Sequence, residues 1–309
     1  MQAINQPSFE RIEVDISLSD DAEDVDPSIA PTQEIEVKYH LPEEEISLGP
    51  ACWMWDFLRR SRQAGFFLPL SGGVDSCATA VIVHQMTRLV FKAVTEDKDP
   101  QAISDMLRIV GEPSTSTWRP TCPQDIATRM FHTTYMGMKE NSSPDTRKRA
   151  ADLAATIGAY HIDLVSLGVP PSLGFGNILT SNKDIDTVYH ALVTLFTTVT
   201  TFVPKYSMYG GTPAARLRMV MAYLLAQLLP TVRQRNAKNP ENPNPGSLLV
   251  LGSANVDESL RLKRFILWAD GSFDMPLLKS FVSAPPTAEL LPITEAYVQD
   301  DGKSICKLL

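Results

Sequence analysis

The chain has 309 residues, of which 44% are hydrophobic and 21% charged, an ordinary globular composition sufficient for one large core or two smaller ones. Its net charge of −8 excludes a protein-wide footprint for nucleic acid, and no long Lys/Arg run restores one. The four cysteines form no C-x-x-C pair, the first residues lack the basic and apolar regions of a secretory signal, and Thr187–Val203 falls short of the ~20 mostly apolar residues of a membrane helix; a reduced, soluble, cytoplasmic protein without nucleic-acid or membrane partners is expected.

In chain order, residues 15–35 are acidic, nearly free of aromatics and broken by prolines, the composition of a linker. ACWMWDFLRRSRQAG follows, a helix whose Trp53, Phe57 and Leu58 would form one face and which Gly65 would end. Phe66–Leu70 reads as a short apolar strand, tolerating Pro69 only where strand pairing stops. Ser76–Val94 carries Ala78, Val81, Ile82, Met86, Leu89, Val90 and Ala93 at helical spacing. Phe131–Met136 reads as a second strand, and Ser143-Pro144 supplies a cap and a first-turn proline for a helix that Gly158 stops after Ile157. Within that helix, Arg147-Lys148-Arg149 reads as a solvated face, and the sequon at Asn141 as a plain loop. Tyr160–Val165 is a third strand, Arg216–Leu229 a strong helix, and Ser247–Leu251 a further buried strand. Residues 166–184 and 236–247, rich in Pro, Gly and Asn, read as loops or insertions. Short apolar strands alternating with helices predict an α/β fold with a doubly wound, mostly parallel sheet.

The most informative stretch is SGGVDS, Ser71–Ser76, at the junction of the first strand and the second helix. In parallel sheets ligands bind outside the carboxyl ends of the strands, where loops enter helix N-termini. Gly72 and Gly73 permit tight backbone and close approach of a ligand, the helix start offers amides and a positive dipole end, and Ser71 and Ser76 add hydroxyls. Asp75 is a poor neighbour for phosphate unless a cation intervenes, so a bridging Mg²⁺ is the natural inference. Other phosphate loops fail. Gly302-Lys303-Ser304 has Tyr297 where a Walker A loop needs glycine, and Gly174-Phe175-Gly176 lacks the third glycine of a dinucleotide fingerprint.

Strand-SGGVDS-helix resembles the signature loop of the N-type ATP pyrophosphatases. EEEISLGPACWMWDFLRRS, AGFFLPLSGGVDSCATAVIVH, ARLRMVMAYLLAQLLP and SLLVLGSANVDESL narrow this to the synthetase domain of eukaryotic, especially fungal-type, glutamine-dependent NAD synthetases. The resemblance runs with gaps from about residue 36 to the C-terminus. It implies a Rossmann-like, adenine-nucleotide α-hydrolase-type domain over 46–309, with residues 1–45 the remnant of an interdomain connector. It also implies a C–N ligase reaction: ATP adenylates the nicotinate carboxylate of deamido-NAD, and ammonia then displaces AMP to give NAD. By the same resemblance Pro69, Leu70, Ser71, Gly72, Gly73, Val74, Asp75 and Ser76 hold the phosphates of ATP, with Ser71 catalytic. Ser253 matches a nucleotide-contacting hydroxyl, Arg216 a deamido-NAD contact, and Asp75 and Glu258 the Mg²⁺ ligands. Relatives assemble as homo-oligomers, so the same is expected here.

The chain also departs from that pattern. None of its cysteines lies in the context of the family's nitrilase-like glutaminase. After Leu260 the family's Gly-Tyr-Leu-Thr-Lys-Tyr-Asp run and the following Ala-Asp-Ile-Asn-Pro are missing, and Arg261 follows at once. Ala214 stands where the family has a glutamine, a segment is missing after Val298, and residues 166–181 are extra. These changes begin and end abruptly between well-matched blocks, the pattern of a mis-spliced gene. Two readings follow: an ammonia- or partner-fed NAD synthetase, and a catalytically impaired nucleotide-binding or interaction fragment of one. A tRNA-modifying or GMP-forming enzyme with the same loop is disfavoured by the acidic net charge.

Overall fold

Side chains on a strand alternate between faces, and the first strand of this chain buries both. The computed structural model describes residues 36–37, 39–137, 143–164, 194, 211–233, 235, 239, 243–253 and 259–284. Its elements run α1 (Pro42–Ser61), β1 (Phe66–Pro69), α2 (Val74–Thr95), α3 (Pro100–Val110), α4 (Pro123–Met130), β2 (Phe131–Tyr135), α5 (Pro144–Ile157), β3 (Tyr160–Asp163), α6 (Gly211–Val232), β4 (Leu249–Val250), α7 (Ser259–Phe273), a 3-10 turn (Pro276–Leu278) and α8 (Lys279–Val282). The chain divides into two compact units at Tyr39/His40, and all of these elements belong to the second.

The strands form one parallel sheet in the order β3-β2-β1-β4, with Phe66 opposite both Phe131 and Leu249. Phe66 and Leu68 join a core with α1 to α5 and α7, whereas Phe67 joins Leu217, Ala222, Ala226 and Leu229 of α6 in a second core. Helices therefore cover both faces, as the alternating pattern predicts. α2 lies at the centre of the larger layer, packed against α1, α3, α4, α5 and α7. Pro69 is the last paired residue of β1, opposite Thr134, where its missing N–H costs no ladder bond.

α5 has the bounds and caps its sequence predicts: the Ser143 hydroxyl accepts the Thr146 amide at 3.2 Å, and Gly158 closes the helix at φ +80°. α1 differs from expectation. Its buried face is Ser47, Ala51, Met54 and Leu58, while Trp53 and Phe57 stack on each other at 5.3 Å and remain 62% and 40% exposed. The helix ends at Arg62, itself left-handed at φ +58°, not at Gly65. Gly65 serves close approach instead: a Cβ there would lie 2.0 Å from the Met130 carbonyl oxygen. Of the expected strand 247–251 Leu248 is buried and the rest half-buried; among the described residues β4 pairs only with β1, and ladder bonds still run from Ser247 to Leu251. α3 and α4 come in addition to the expected elements, each starting on a proline. Residues 1–35, the sequon's Asn141 and Ser142, residues 166–184, Thr187–Val203 apart from Thr194, Gly302–Ser304 and Cys306 lie outside the described residues. Among the described residues no helix is long and apolar enough to cross a membrane, and Cys52, Cys77 and Cys122 are free thiols.

Two buried histidines make this fold acid-sensitive. Burial, aided by Arg88, lowers the His84 pKa from 6.5 to about 4. Burial with Arg233 and Arg235 nearby lowers that of His132 to about 3. Arg233 donates to His132 Nε2 at 3.1 Å, a bond that needs the neutral ring. Both folded-state values lie below the unfolded ones, so the unfolded chain binds more protons once the pH falls below about 6.5. Stability is intact above that value and falls towards pH 4, by about 2 kcal/mol per histidine at pH 5. Urea unfolding at pH 7 and pH 5 reads this loss. His84→Leu, which removes a ring whose Nδ1 has no hydrogen-bond partner among the described residues, should remove its share of the pH dependence.

Candidate active site

The sheet order makes β1 a topological switch: the chain moves from β1 through β2 to β3, then returns to β4 on the other side of β1. In parallel sheets the loops leaving two such neighbouring strands diverge, and ligands bind in the crevice at the strands' carboxyl ends. The 70–73 loop occupies this position. Its first residue is pinned to the sheet by the Leu70 amide, which donates to the Thr134 carbonyl at 2.8 Å.

Beyond Leu70 the loop folds on its own hydroxyls. The Gly73 amide donates to Ser71 Oγ at 3.3 Å, Ser71 and Ser76 hydroxyls meet at 3.1 Å, and Ser76 donates to the Gly73 carbonyl at 3.2 Å. Ser71 is exposed and Ser76 buried, so Ser71 presents this ring to a ligand. Gly73 is the N-cap of α2, and its side chain can offer nothing to the amides of the first turn. Those amides and the positive end of a 22-residue helix face the crevice. Val74 and Asp75 are half-buried in the same turn.

Gly72 is fixed by contact with another helix. Its φ is +78°, and a Cβ would lie 2.1 Å from the Thr146 carbonyl oxygen in the first turns of α5. Thr146 is itself held by the Tyr135 hydroxyl at 2.9 Å and by its own bond to the Ser143 carbonyl at 2.7 Å. Arg149, one turn on, donates from Nε to the Gly72 carbonyl at 3.1 Å. The basic triplet is therefore only partly a solvated face. Lys148 is exposed, whereas Arg147 pairs with Asp163 and Arg149 with the loop. The expected reading missed Arg149, because its partner lies 77 positions earlier in the chain and no neighbouring residue signals the contact.

The remaining expected site residues divide. Ser253 lies three residues past β4, half-buried, at the same end of the sheet as the loop. Arg216 is exposed near the start of α6. The far end of that helix is at the strands' amino ends, where Arg233 donates to Thr128 and His132. At ~1.5 Å per residue, Arg216 falls back towards the carboxyl ends. Glu258 lies outside the described residues. Among the described residues no three His, Cys, Asp or Glu side chains converge as a metal site. The donor set at the loop, a carboxylate and two hydroxyls, is hard oxygen, which suits Mg²⁺ shared with phosphate and does not suit a softer metal.

A glutamine-dependent NAD(+) synthetase of Saccharomyces cerevisiae is 44% identical over 325 residues, covering 95% of this chain and 41% of its own. The Mus musculus glutamine-dependent NAD(+) synthetase is 40% identical over 330 residues, covering 96% of this chain and 41% of its own. This chain is homologous to part of a glutamine-dependent NAD(+) synthetase. It spans about two fifths of the length of these relatives. Both alignments run over more positions than the chain's 309 residues, so the synthetases carry internal segments that have no counterpart here. The crystal structure of a glutamine-dependent NAD(+) synthetase from Cytophaga hutchinsonii superposes with a TM-score of 0.54 at 18% identity, covering 81% of this chain and 40% of that one, which shows a common fold. No family model matches the chain.

Proposed function

We propose that this chain carries the ATP-dependent amidation of deamido-NAD to NAD, with release of AMP and pyrophosphate. The observation that carries the reading is the glycine loop at the switch point of a parallel sheet, in a chain homologous to NAD(+) synthetases over nearly its whole length. The proposed organisation is an acidic connector, 1–45, ahead of a pyrophosphatase-type domain, 46–309.

In the first step an oxygen of the nicotinate carboxylate bonds to the α-phosphorus of ATP, and the bond to the β-phosphate oxygen breaks as pyrophosphate leaves. The loop amides, the α2 dipole and Ser71 receive the polyphosphate, where negative charge accumulates on the leaving group. Asp75 and Glu258 would hold Mg²⁺, which neutralises phosphate charge when bound. In the second step ammonia bonds to the acyl carbon, AMP leaves with its oxygen, and the nitrogen gives up a proton. Ser253 is assigned to the nucleotide and Arg216 to deamido-NAD, and their situation at the carboxyl end of the sheet supports both roles. An exposed apolar stripe on α6, including Met219, Val220, Tyr223, Leu224 and Leu228, supports a homo-oligomer.

A second reading, an impaired nucleotide-binding fragment of the synthetase, is favoured by the internal segments that the relatives carry and this chain lacks. Both readings predict the same nitrogen source. None of the four cysteines sits in a glutaminase context, so any amidation should run on ammonium and ignore glutamine. The test is pyrophosphate and NAD formation from deamido-NAD and Mg-ATP with each donor in turn. NAD made from glutamine alone by a preparation free of amidotransferase would overturn the donor assignment. Absence of deamido-NAD-dependent pyrophosphate release, together with absence of Mg-ATP binding, would overturn both readings.

A further inference from the structure

The glycine loop contains no cation of its own: from Phe66 to Val83 there is no Lys or Arg, and the one charged residue is Asp75. The guanidinium that reaches the loop comes from 77 positions later in the chain, where Arg149 Nε donates to the Gly72 carbonyl at 3.1 Å. That carbonyl belongs to the Gly72–Gly73 peptide. In a planar trans peptide the C=O and the N–H point in opposite directions. A group that grips the carbonyl on one side therefore fixes where the amide points on the other. Here the Gly73 amide points at Ser71 Oγ, 3.3 Å away. Rotation of this peptide turns ψ of Gly72 and φ of Gly73, and because both residues are glycines, with no Cβ on either side, it could swing at little intrinsic steric cost. The Ser71 hydroxyl accepts this amide from within the loop, and contacts from outside it bear on the same peptide. Among the described residues these are the Thr146 carbonyl, against which Gly72 packs, and Arg149.

We propose that Arg149 is a positioning residue for the proposed adenylation site: by holding the Gly72 carbonyl against α5 it turns the Gly73 amide towards Ser71 and an incoming polyphosphate. This rests on the reading of the loop as a nucleotide cradle. The bed under Arg149 is rigid. α5 is capped at both ends, and Thr146, on the same helix face, is tied to Tyr135 at the end of β2. A charged donor on a backbone carbonyl is among the stronger hydrogen bonds, and both Nη atoms of Arg149 make no hydrogen bond to the described residues. Losing the grip should free the peptide without unpacking the core, because Arg149 is half-buried beside, not within, the stripe Ala150, Leu153 and Ile157.

The test compares the parent chain with Arg149→Met and Arg149→Lys by calorimetry, using Mg-ATP, Mg-pyrophosphate and adenosine as separate probes, with thermal melting as a check on folding. Lysine keeps the charge but lacks the fixed Nε geometry, so both variants should bind Mg-ATP and Mg-pyrophosphate about tenfold or more weakly. Adenosine affinity and the melting midpoint should stay at parent values, and millimolar methylguanidinium should restore part of the Mg-pyrophosphate affinity of Arg149→Met. Parent-like binding of both phosphate probes by the variants would overturn the role of Arg149 and leave the loop reading standing. Equal loss of adenosine affinity would overturn it in favour of a general scaffold role. A parent chain that binds neither phosphate probe would overturn the loop reading itself, and the proposal with it. Should the methionine variant not fold, the lysine variant carries the same comparison.

Discussion

Gly72→Val is expected to abolish measurable Mg-ATP binding, a loss of more than about a hundredfold. Two costs add at this position. A β-branched residue at φ +78° is strained wherever it stands, by about 1–3 kcal/mol. Even the first side-chain atom would lie 2.1 Å from the Thr146 carbonyl oxygen, a backbone atom held by a capped helix and by Tyr135. Neither side can yield locally. Either the loop rotates, carrying the Gly72 carbonyl off Arg149 and the Gly73 amide off Ser71, or the start of α5 leaves its place against the loop. Each route dismantles the polyphosphate cradle, whereas the cores on the two faces of the sheet remain. The control is Gly252→Ala in the segment leaving β4, where a Cβ meets nothing within 4 Å among the described residues. It should bind Mg-ATP within about twofold of the parent. Calorimetry on the two variants reads the difference directly, and Mg-ATP binding by Gly72→Val at parent strength would remove the loop from the site.

What could be read in the sequence follows from where each signal lies along the chain. α5 was legible to the residue because both of its ends are local chemistry, a serine and proline at one and a glycine at the other. The loop was legible because a strand, two glycines and a helix are contiguous. The buried face of α1 was not. Trp53 and Phe57 outweigh Ala51 and Met54 in apolar content, yet the stripe Ser47, Ala51, Met54 and Leu58 is the face that α1 buries, and the aromatic pair stacks outside it. Arg149 was not legible either. Nothing near it in sequence says that a loop 77 residues earlier packs on the same helix turn. Gly72 posed the converse problem. Its permissive backbone was evident, but its closest neighbour is a carbonyl of α5 and not a ligand, which only the tertiary structure reveals.

The largest effect expected of the whole chain is a deficit in rate. Supplied with deamido-NAD, Mg-ATP and ammonium, it should make NAD about a hundredfold or more slowly than a synthetase without internal gaps. The parts proposed to receive the polyphosphate are in place, from the Ser71–Ser76 hydroxyl ring to the capless start of α2. The parts that the resemblance implies for completing the transition state are the ones the sequence lacks. Leu260 is followed at once by Arg261, where the resemblance calls for a Thr-Lys-Tyr-Asp run, and the aligned synthetases carry more positions than this chain can fill. Removing one preorganised contact to developing charge typically costs about 3–4 kcal/mol of barrier. Several lost together cost more, though not additively. Binding and turnover should therefore separate: Mg-ATP affinity within reach of an intact enzyme, turnover far below it. Grafting the corresponding run of the S. cerevisiae relative between Leu260 and Arg261 should then raise turnover at least tenfold while changing Mg-ATP affinity little. If the ungrafted chain already turns over like an intact synthetase, the missing run is dispensable, and the impaired-fragment reading goes with it.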